Sequence, residues 1–545
     1  MKQSKKAGIV AVCLLAGGTQ SVLAAEPVAV SAEDLLNVLI EQGVVDEKQV
    51  NDVVRKAKER TRRNYQTGVE TVPAEKRDLK TPQDSSVVRV PYVPQYIKDD
   101  IRDKVRNELR EEVVADVMKK AKDERWGLPG TAPDWTTRIK FFGDVRLRAE
   151  SIMYGEDNLE LEYLDYMKVN DAGEITGEDE YLNLTEDRER LRVRARFGLK
   201  AAVTEGVEAG IRLATGSTSN PVSTNETLGD YGNSFDVLID RGYLKYGSFA
   251  DDVMLVGGRF ENPFYRTDLI WDNDLQFDGI AGSWYWLRSS NWESDEQQWD
   301  PFVTAGIFPV EEFELSTQDK WMYGAQLGFT HTAWSQNRLR AAVGYYQYDN
   351  MAGIKNAVND DLMDETAPDF IQKGNSYFNL KNPAVPPSGA QPAMFGLAYD
   401  YTIVDLLLEY DIATFSPHHV ILSAEYIENI AGDRAEAEAR AGDEIAVEGF
   451  DGYLFKATFG WPIVAKPDDW QVAVGYRSLG ANALVDGFAD SDFHAGGTDG
   501  RGYIIEGNYG IFNETWVTLK WMSSDAIDLP ELAVDILQID LNARF

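Results

Sequence analysis

The chain has almost no cysteine, little histidine and no long apolar run, and each shortage excludes something. Of its 545 residues one is a cysteine, Cys13, inside the apolar core of an N-terminal leader. The exported chain therefore has no disulfide and no thiolate metal site. Four histidines, His331, His418, His419 and His494, leave few bases poised for catalysis. Only His494, set among Asp490, Asp492 and Asp499 in a long polar stretch, is a candidate for a surface protease-like site. Past the leader nothing approaches the roughly 18 consecutive apolar residues of a membrane-spanning helix. Basic excess is missing too. A net charge of −36 argues against nucleic acid as a partner, because phosphate binding needs a basic face.

The leader itself is legible. Lys2, Lys5 and Lys6 precede the apolar stretch Ala7 to Ala16, and Val22-Leu23-Ala24-Ala25 offers a small-residue cleavage site. Residues 1–25 read as a secretory signal peptide. An exported chain without a spanning helix is periplasmic, secreted or an outer-membrane barrel. The acid is unevenly spread: residues 26–125 hold 20 basic and 21 acidic side chains, and residues 126–545 hold 31 and 69. All 13 Trp fall in that last part.

What the chain has in abundance is alternation. Asp187 to Val203 reads DRERLRVRARFGLKAAV. Leu191, Val193, Ala195, Phe197, Leu199 and Ala201 form one face, and Arg190, Arg192, Arg194, Arg196 and Lys200 form the other. A period of two is a strand with one apolar and one cationic side. In a bilayer the apolar side must meet lipid. The reverse would put four arginines into hydrocarbon at about 2–4 kcal/mol each, roughly 8–16 kcal/mol in all. A soluble sandwich strand with one solvated face satisfies this segment equally well, so the rest of the chain has to decide.

Sixteen such segments occur, near 139–152, 189–203, 206–217, 236–247, 252–260, 275–289, 300–310 and 321–334, then 338–349, 394–412, 417–429, 449–464, 468–479, 500–512, 514–524 and 531–545. The number is even, and short turns such as Thr204-Glu205-Gly206 take turns with long polar loops. Both are marks of an antiparallel outer-membrane barrel, the short turns being periplasmic. Trp284, Trp286, Trp292, Trp299, Trp334, Trp461, Trp470, Trp516 and Trp521 gather at strand ends, as interfacial girdles require. The expected fold is all-β, a transmembrane antiparallel barrel of about 16 strands over residues 137–545, with outer-membrane lipid around it.

The part before the barrel is helical in pattern. Residues 26–64 read as a helical hairpin, with Ser31 as N-cap and Gly43 as the first stop, and residues 65–93 as a linker. Over residues 94–127 the apolar positions Ile97, Ile101, Val105, Leu109, Val113 and Val117 recur every four amid dense charge. That narrow stripe reads as a coiled-coil-like helix.

Arg89-Val90-Pro91-Tyr92-Val93-Pro94, this charged helix, Arg125-Trp126, Asp134-Trp135 and Gly143-Asp144-Val145-Arg146-Leu147-Arg148 together resemble the putative porin family of Gram-negative outer membranes. The resemblance is strongest over residues 89–150 and continues more loosely to the last residue. It implies a trimeric-porin-like channel without naming a solute. The closing strand, Leu537 to Phe545, resembles the signal read by the barrel-assembly machinery, through the terminal Phe545.

A pore needs polar groups on its lumen face. The alternation assigns that face Arg146 and Arg148 on the first strand and Arg190, Arg192, Arg194, Arg196 and Lys200 on the second. Arg212, Arg241, Lys245 and Arg259 follow on the next three, Arg259 on the least regular of them. In trimeric porins the loop after the fifth strand folds inward. By that analogy Glu261, Asp268, Asp272 and Asp274 of residues 261–274 face the basic wall as a constriction. The bland alternative is that the arginines pair with lumen acids and stiffen the wall. No EF-hand spacing appears, so no metal and no cofactor are expected. The expected function is passive diffusion of small polar or anionic solutes by a non-enzymatic homotrimeric porin. The alternative class is an envelope-tethering or adhesion protein that uses its barrel as an anchor.

Overall fold

A computed structural model describes residues 138–545 apart from 248–251, 287–297, 315–316, 334–335, 386–388 and 446. The signal peptide, hairpin, linker and coiled-coil-like helix, with Trp292 and Trp334, lie outside the described residues.

Sixteen strands form one closed antiparallel barrel. In chain order they are β1 Ile139–Tyr154, β2 Arg188–Thr204, β3 Val207–Thr215 and β4 Val237–Tyr246. Next come β5 Val253–Glu261, β6 Gln276–Tyr285, β7 Gln298–Glu311 and β8 Lys320–Thr332. Then follow β9 Arg338–Asp349, β10 Thr402–Ile412, β11 His419–Asn429 and β12 Asp451–Gly460. The last four are β13 Trp470–Leu479, β14 Gly500–Phe512, β15 Thr515–Ala526 and β16 Ala533–Arg544. Most bounds fall within a few residues of the alternation in the sequence. Residues 394–412 are the exception, because Phe395–Leu397 pairs with Tyr377–Asn379 in a small outer sheet and β10 begins only at Thr402.

Closure occurs at β1. Arg148 sits opposite Arg192 of β2 on one side and Asp540 of β16 on the other. The chain end is held there as well: Gly143 N–H donates to the Phe545 carbonyl at 2.9 Å, and Phe545 N–H to that of Gly143 at 3.0 Å. With both flanks of every strand paired, no edge is left to aggregate.

The register obeys the alternation. Leu147, Leu191, Phe197 and Ile211 project outward and are 46–57% exposed, whereas Arg148 on the inner face is 4% exposed. Among the register shifts of the ladder, one within the lumen wall lies between Arg212 and Leu213 of β3, where β4 carries the extra residue Asp240. The extra residue lets Asp240 and Arg241 both serve the interior. Several Trp mark the short-turn end, where Trp284 lies tilted beside Trp286 (5.4 Å), Trp299 stacks on His331 (4.2 Å), and Trp470 lies tilted beside His418 (5.2 Å). Trp521 is different, since it lies within β15 opposite Leu537 and not at a strand end.

The loops on the other end are long and partly turned inward. Those used below are L2 (216–236), L3 (262–275), L5 (350–401) and L7 (480–499). Inside the barrel an aromatic cluster of Phe264, Trp271, Phe277, Phe308 and Tyr346 packs L3 against β6 to β9. Two short helices, α1 Tyr166–Ala172 and α2 Arg434–Ala441, lie in the outer loop layer.

Candidate functional site

The inner faces of β1 and β2 present the arginine ladder, and each rung finds a carboxylate. Arg148 donates Nε to Asp540 (2.8 Å) and Nη1 to Asp492 of L7 (2.8 Å). Arg190 pairs with Glu150, and Arg192 approaches the same carboxylate at 3.9 Å. Arg194 and Arg196 both reach Asp144, at 3.0 and 2.7 Å. Arg146 lies 3.9 Å from Asp540 and bonds the Asn225 side chain at 2.6 Å. Asp144 and Glu150 share the alternation of Arg146 and Arg148, so period-two reading could have found them. Asp492 could not be found that way, because it arrives on a loop.

The remaining expected cations divide. Arg212 is engaged by Asp240 (Nε–Oδ2 2.9 Å), Arg241 by Glu261 (2.7 Å) and Arg259 by Asp278 (2.5 Å). Lys200 lies over the Phe142 ring at 5.2 Å, and Lys245 is in register with Glu208. Glu261 is a correction to the expected loop set. It is the last residue of β5, held in the ladder opposite Gln276, so it belongs to the wall and not to L3.

L3 itself crosses the lumen. Phe264 fits beside Gly324, where a Cβ would lie only 2.6 Å from the Phe264 ring. The Tyr265 N–H donates to Gln326 Oε1 at 2.9 Å, and its carbonyl accepts from Gln326 Nε2 at 2.6 Å. Arg340 stacks over the Tyr265 ring at 3.5 Å. The Thr267 hydroxyl donates to Glu425 of β11. On the far side Asp274 accepts from Thr224 Oγ1 (2.8 Å) and from Arg196 (3.1 Å), with Arg194 at 3.6 Å. Asp272 accepts from the Ser491 N–H of L7 at 2.8 Å.

These loop carboxyls are shifted in opposite directions because their surroundings differ. Burial tends to raise the Asp274 carboxyl, but Arg194, Arg196 and Arg146 hold it below its ordinary range. Burial raises Asp272 well above that range, and the neighbouring Asp490 and Asp274 carboxylates add to the rise. Asp268, near the tip, is desolvated yet held low by Lys456, Lys520 and Arg266 and by a 2.6 Å bond from Asn273. Lys456 of β12 and Lys520 of β15 were not among the expected lumen cations, although both obey the alternation of their strands.

The His494 candidate fails on geometry. It is 2% exposed and its Nδ1 lies 3.0 Å from Ser524 Oγ of β15, so it is buried where L7 packs on the barrel wall and not set on a surface. Among the described residues no group of three or more His, Cys, Asp or Glu is placed to hold a metal.

A family model described as putative porin matches residues 30–545. The comparison with curated proteins finds no match. Among solved structures, OprB of Pseudomonas putida at high pH is 11% identical, covering 77% of this chain and 97% of that one, with a TM-score of 0.44. The outer membrane channel DcaP of Acinetobacter baumannii is 12% identical over 75% of this chain and 97% of that one, TM-score 0.38. Salmonella typhi OmpF in complex with daunomycin is 7% identical over 75% and 97%, TM-score 0.37.

Proposed function

Since this chain belongs to the putative porin family and is an outer-membrane channel of a Gram-negative bacterium, we propose that it passes small polar or anionic solutes by diffusion through a charged constriction. The observation that carries this reading is the path of L3. One end of the loop is fastened to β11 through Thr267 and Glu425, and the other to β2 through Asp274 and Arg196. A loop tied to opposite walls narrows whatever passes between them.

The field inside such a constriction is transverse. Asp268 on L3 faces Lys456 and Lys520, so a dipolar solute lowers its energy by aligning across the passage. The ladder arginines are engaged with carboxylates, so they orient and hydrate a solute more than they attract one sign. The reading involves no covalent chemistry and no cofactor. It also includes assembly as a homotrimer and recognition of Phe545 by the barrel-assembly machinery.

Single-channel recording in planar bilayers tests it. The expected result is steady ohmic conductance, and well-folded protein that conducts nothing would favour the envelope-anchor alternative. Reversing charge at Arg192 and Arg194 is expected to shift the zero-current potential towards cation selectivity. An unchanged potential would remove both from the site.

A further inference from the structure

Where L3 approaches the wall of β12 to β15, fixed charges of opposite sign stand on two separate elements. On the loop, Asp268 follows directly on Thr267, which is tied to Glu425 of β11. Lys456 lies on the next strand, opposite Ser423 of β11 and so one inward-facing row from Glu425. Lys456 reaches the Glu506 carboxylate of β14 at 3.8 Å, and Lys520 of β15 stands in register with that same Glu506. Asp268 lies within electrostatic reach of both lysines.

The loop side is held ready. Arg266 donates to the Thr267 and Trp271 carbonyls at 3.1 and 3.0 Å and to Asn273 Oδ1 at 3.0 Å. Asn273 Nδ2 in turn donates to Asp268 at 2.6 Å. These bonds take up the Arg266 guanidinium within L3 and fix the Asp268 carboxylate, so a solute meets it without first ordering the loop. Asp268, Lys456 and Lys520 are half-buried and not sealed, and each is therefore within reach of what passes.

The balance of charge decides which solutes gain. Two lysines against the single Glu506 leave the wall positive, opposite the negative Asp268. A simple anion is attracted by one side and repelled by the other, and so is a simple cation. A solute that carries both charges gains at both ends, and its uncharged isomer gains at neither. Without such a field the zwitterion would pass no faster than that isomer, because its charges hold water more tightly.

We propose that Asp268, Lys456 and Lys520 make the passage selective for zwitterions of the amino-acid class. The solute's carboxylate turns to the two lysines and its ammonium to Asp268. The inference rests on the channel reading and names its solute class.

The test is swelling of liposomes that carry the purified full-length protein, with alanine and lactamide as probes. The two are isomers, so pore size cancels in the ratio of their rates. Alanine is expected to enter at least about twofold faster than lactamide, and Asp268→Asn to lower that ratio by about twofold or more. Glu531→Gln, which removes one acid on a distant loop, leaves it unaltered. Asp268→Lys and Lys520→Glu each lower the ratio as well, and combined they restore it, because the field is then reversed and not lost. A wild-type ratio of one or less, a ratio indifferent to Asp268→Asn, or no restoration in a double variant with native heat-modifiable migration each overturns the inference. Liposomes that take up lactamide without preferring alanine refute the zwitterion selectivity alone. Liposomes that take up neither refute the channel reading beneath it.

Discussion

Arg148 stands between two carboxylates that belong to different levels of the fold: Asp540 on the adjacent strand at 2.8 Å and Asp492 on L7, also at 2.8 Å. Through Asp492 this one guanidinium fastens an outer loop to the inner wall. Burial alone would raise the Asp492 carboxyl, and Arg148, with Lys520 and Arg146, drives it far below its ordinary range.

Replacing Arg148 by Ala should therefore release L7 and take from Asp540 and Asp492 the one guanidinium hydrogen-bonded to both. Breaking a buried pair from one side costs about 3–5 kcal/mol. The expected outcome is a folded barrel with a lower unfolding temperature, noisier current and greater cation selectivity. Planar-bilayer recording with thermal unfolding checks all three, and wild-type current noise would count against the fastening role.

Asp274→Asn keeps the shape of the side chain and removes its charge, freeing Arg194 and Arg196 from their L3 partner. The zero-current potential should move towards anions, opposite in sign to the Arg192 and Arg194 reversals. No movement would mean that L3 leaves the lumen field unchanged.

The outer loops should respond to pH in two windows. Burial lowers Lys373, which donates to the Gly496 carbonyl at 2.8 Å, to about 7. A folded amine below its ordinary 10.5 binds fewer protons than the unfolded one, so loop stability rises with pH between about 7 and 10. Burial raises Asp486 to about 6, so between about 4 and 6 the folded loops bind more protons and lose stability as pH rises. Limited proteolysis of the loops should be fastest between those windows, near pH 6–7. Lys373→Met should abolish the alkaline recovery while keeping the acid limb.

Leu147→Arg tests which face meets lipid. Leu147 points outward and is 47% exposed, so an arginine there costs about 2–4 kcal/mol near the bilayer midplane. Assembly yield into vesicles should fall sharply, whereas Thr518→Arg, on an inner face, should assemble nearly normally. Equal yields would contradict a lipid-facing Leu147.

The strand count, the lumen face of the ladder and the outward apolar face were legible because each depends on a period of two. Asp144 and Glu150 were legible by the same rule and simply lay beside more conspicuous arginines. Asp240 was hidden by a bulge, which no local pattern announces. Glu261 was misplaced by one strand end, the least determinate point of any period-based reading.

By itself the sequence determined which side of each ribbon could face hydrocarbon, since desolvating a row of guanidiniums is prohibitive and alternation leaves them one other direction. Only the tertiary structure decided what those guanidiniums meet. Their partners Asp492 and Asp274 come from loops distant in the chain, and that pairing depends on how L3 and L7 fold into the lumen.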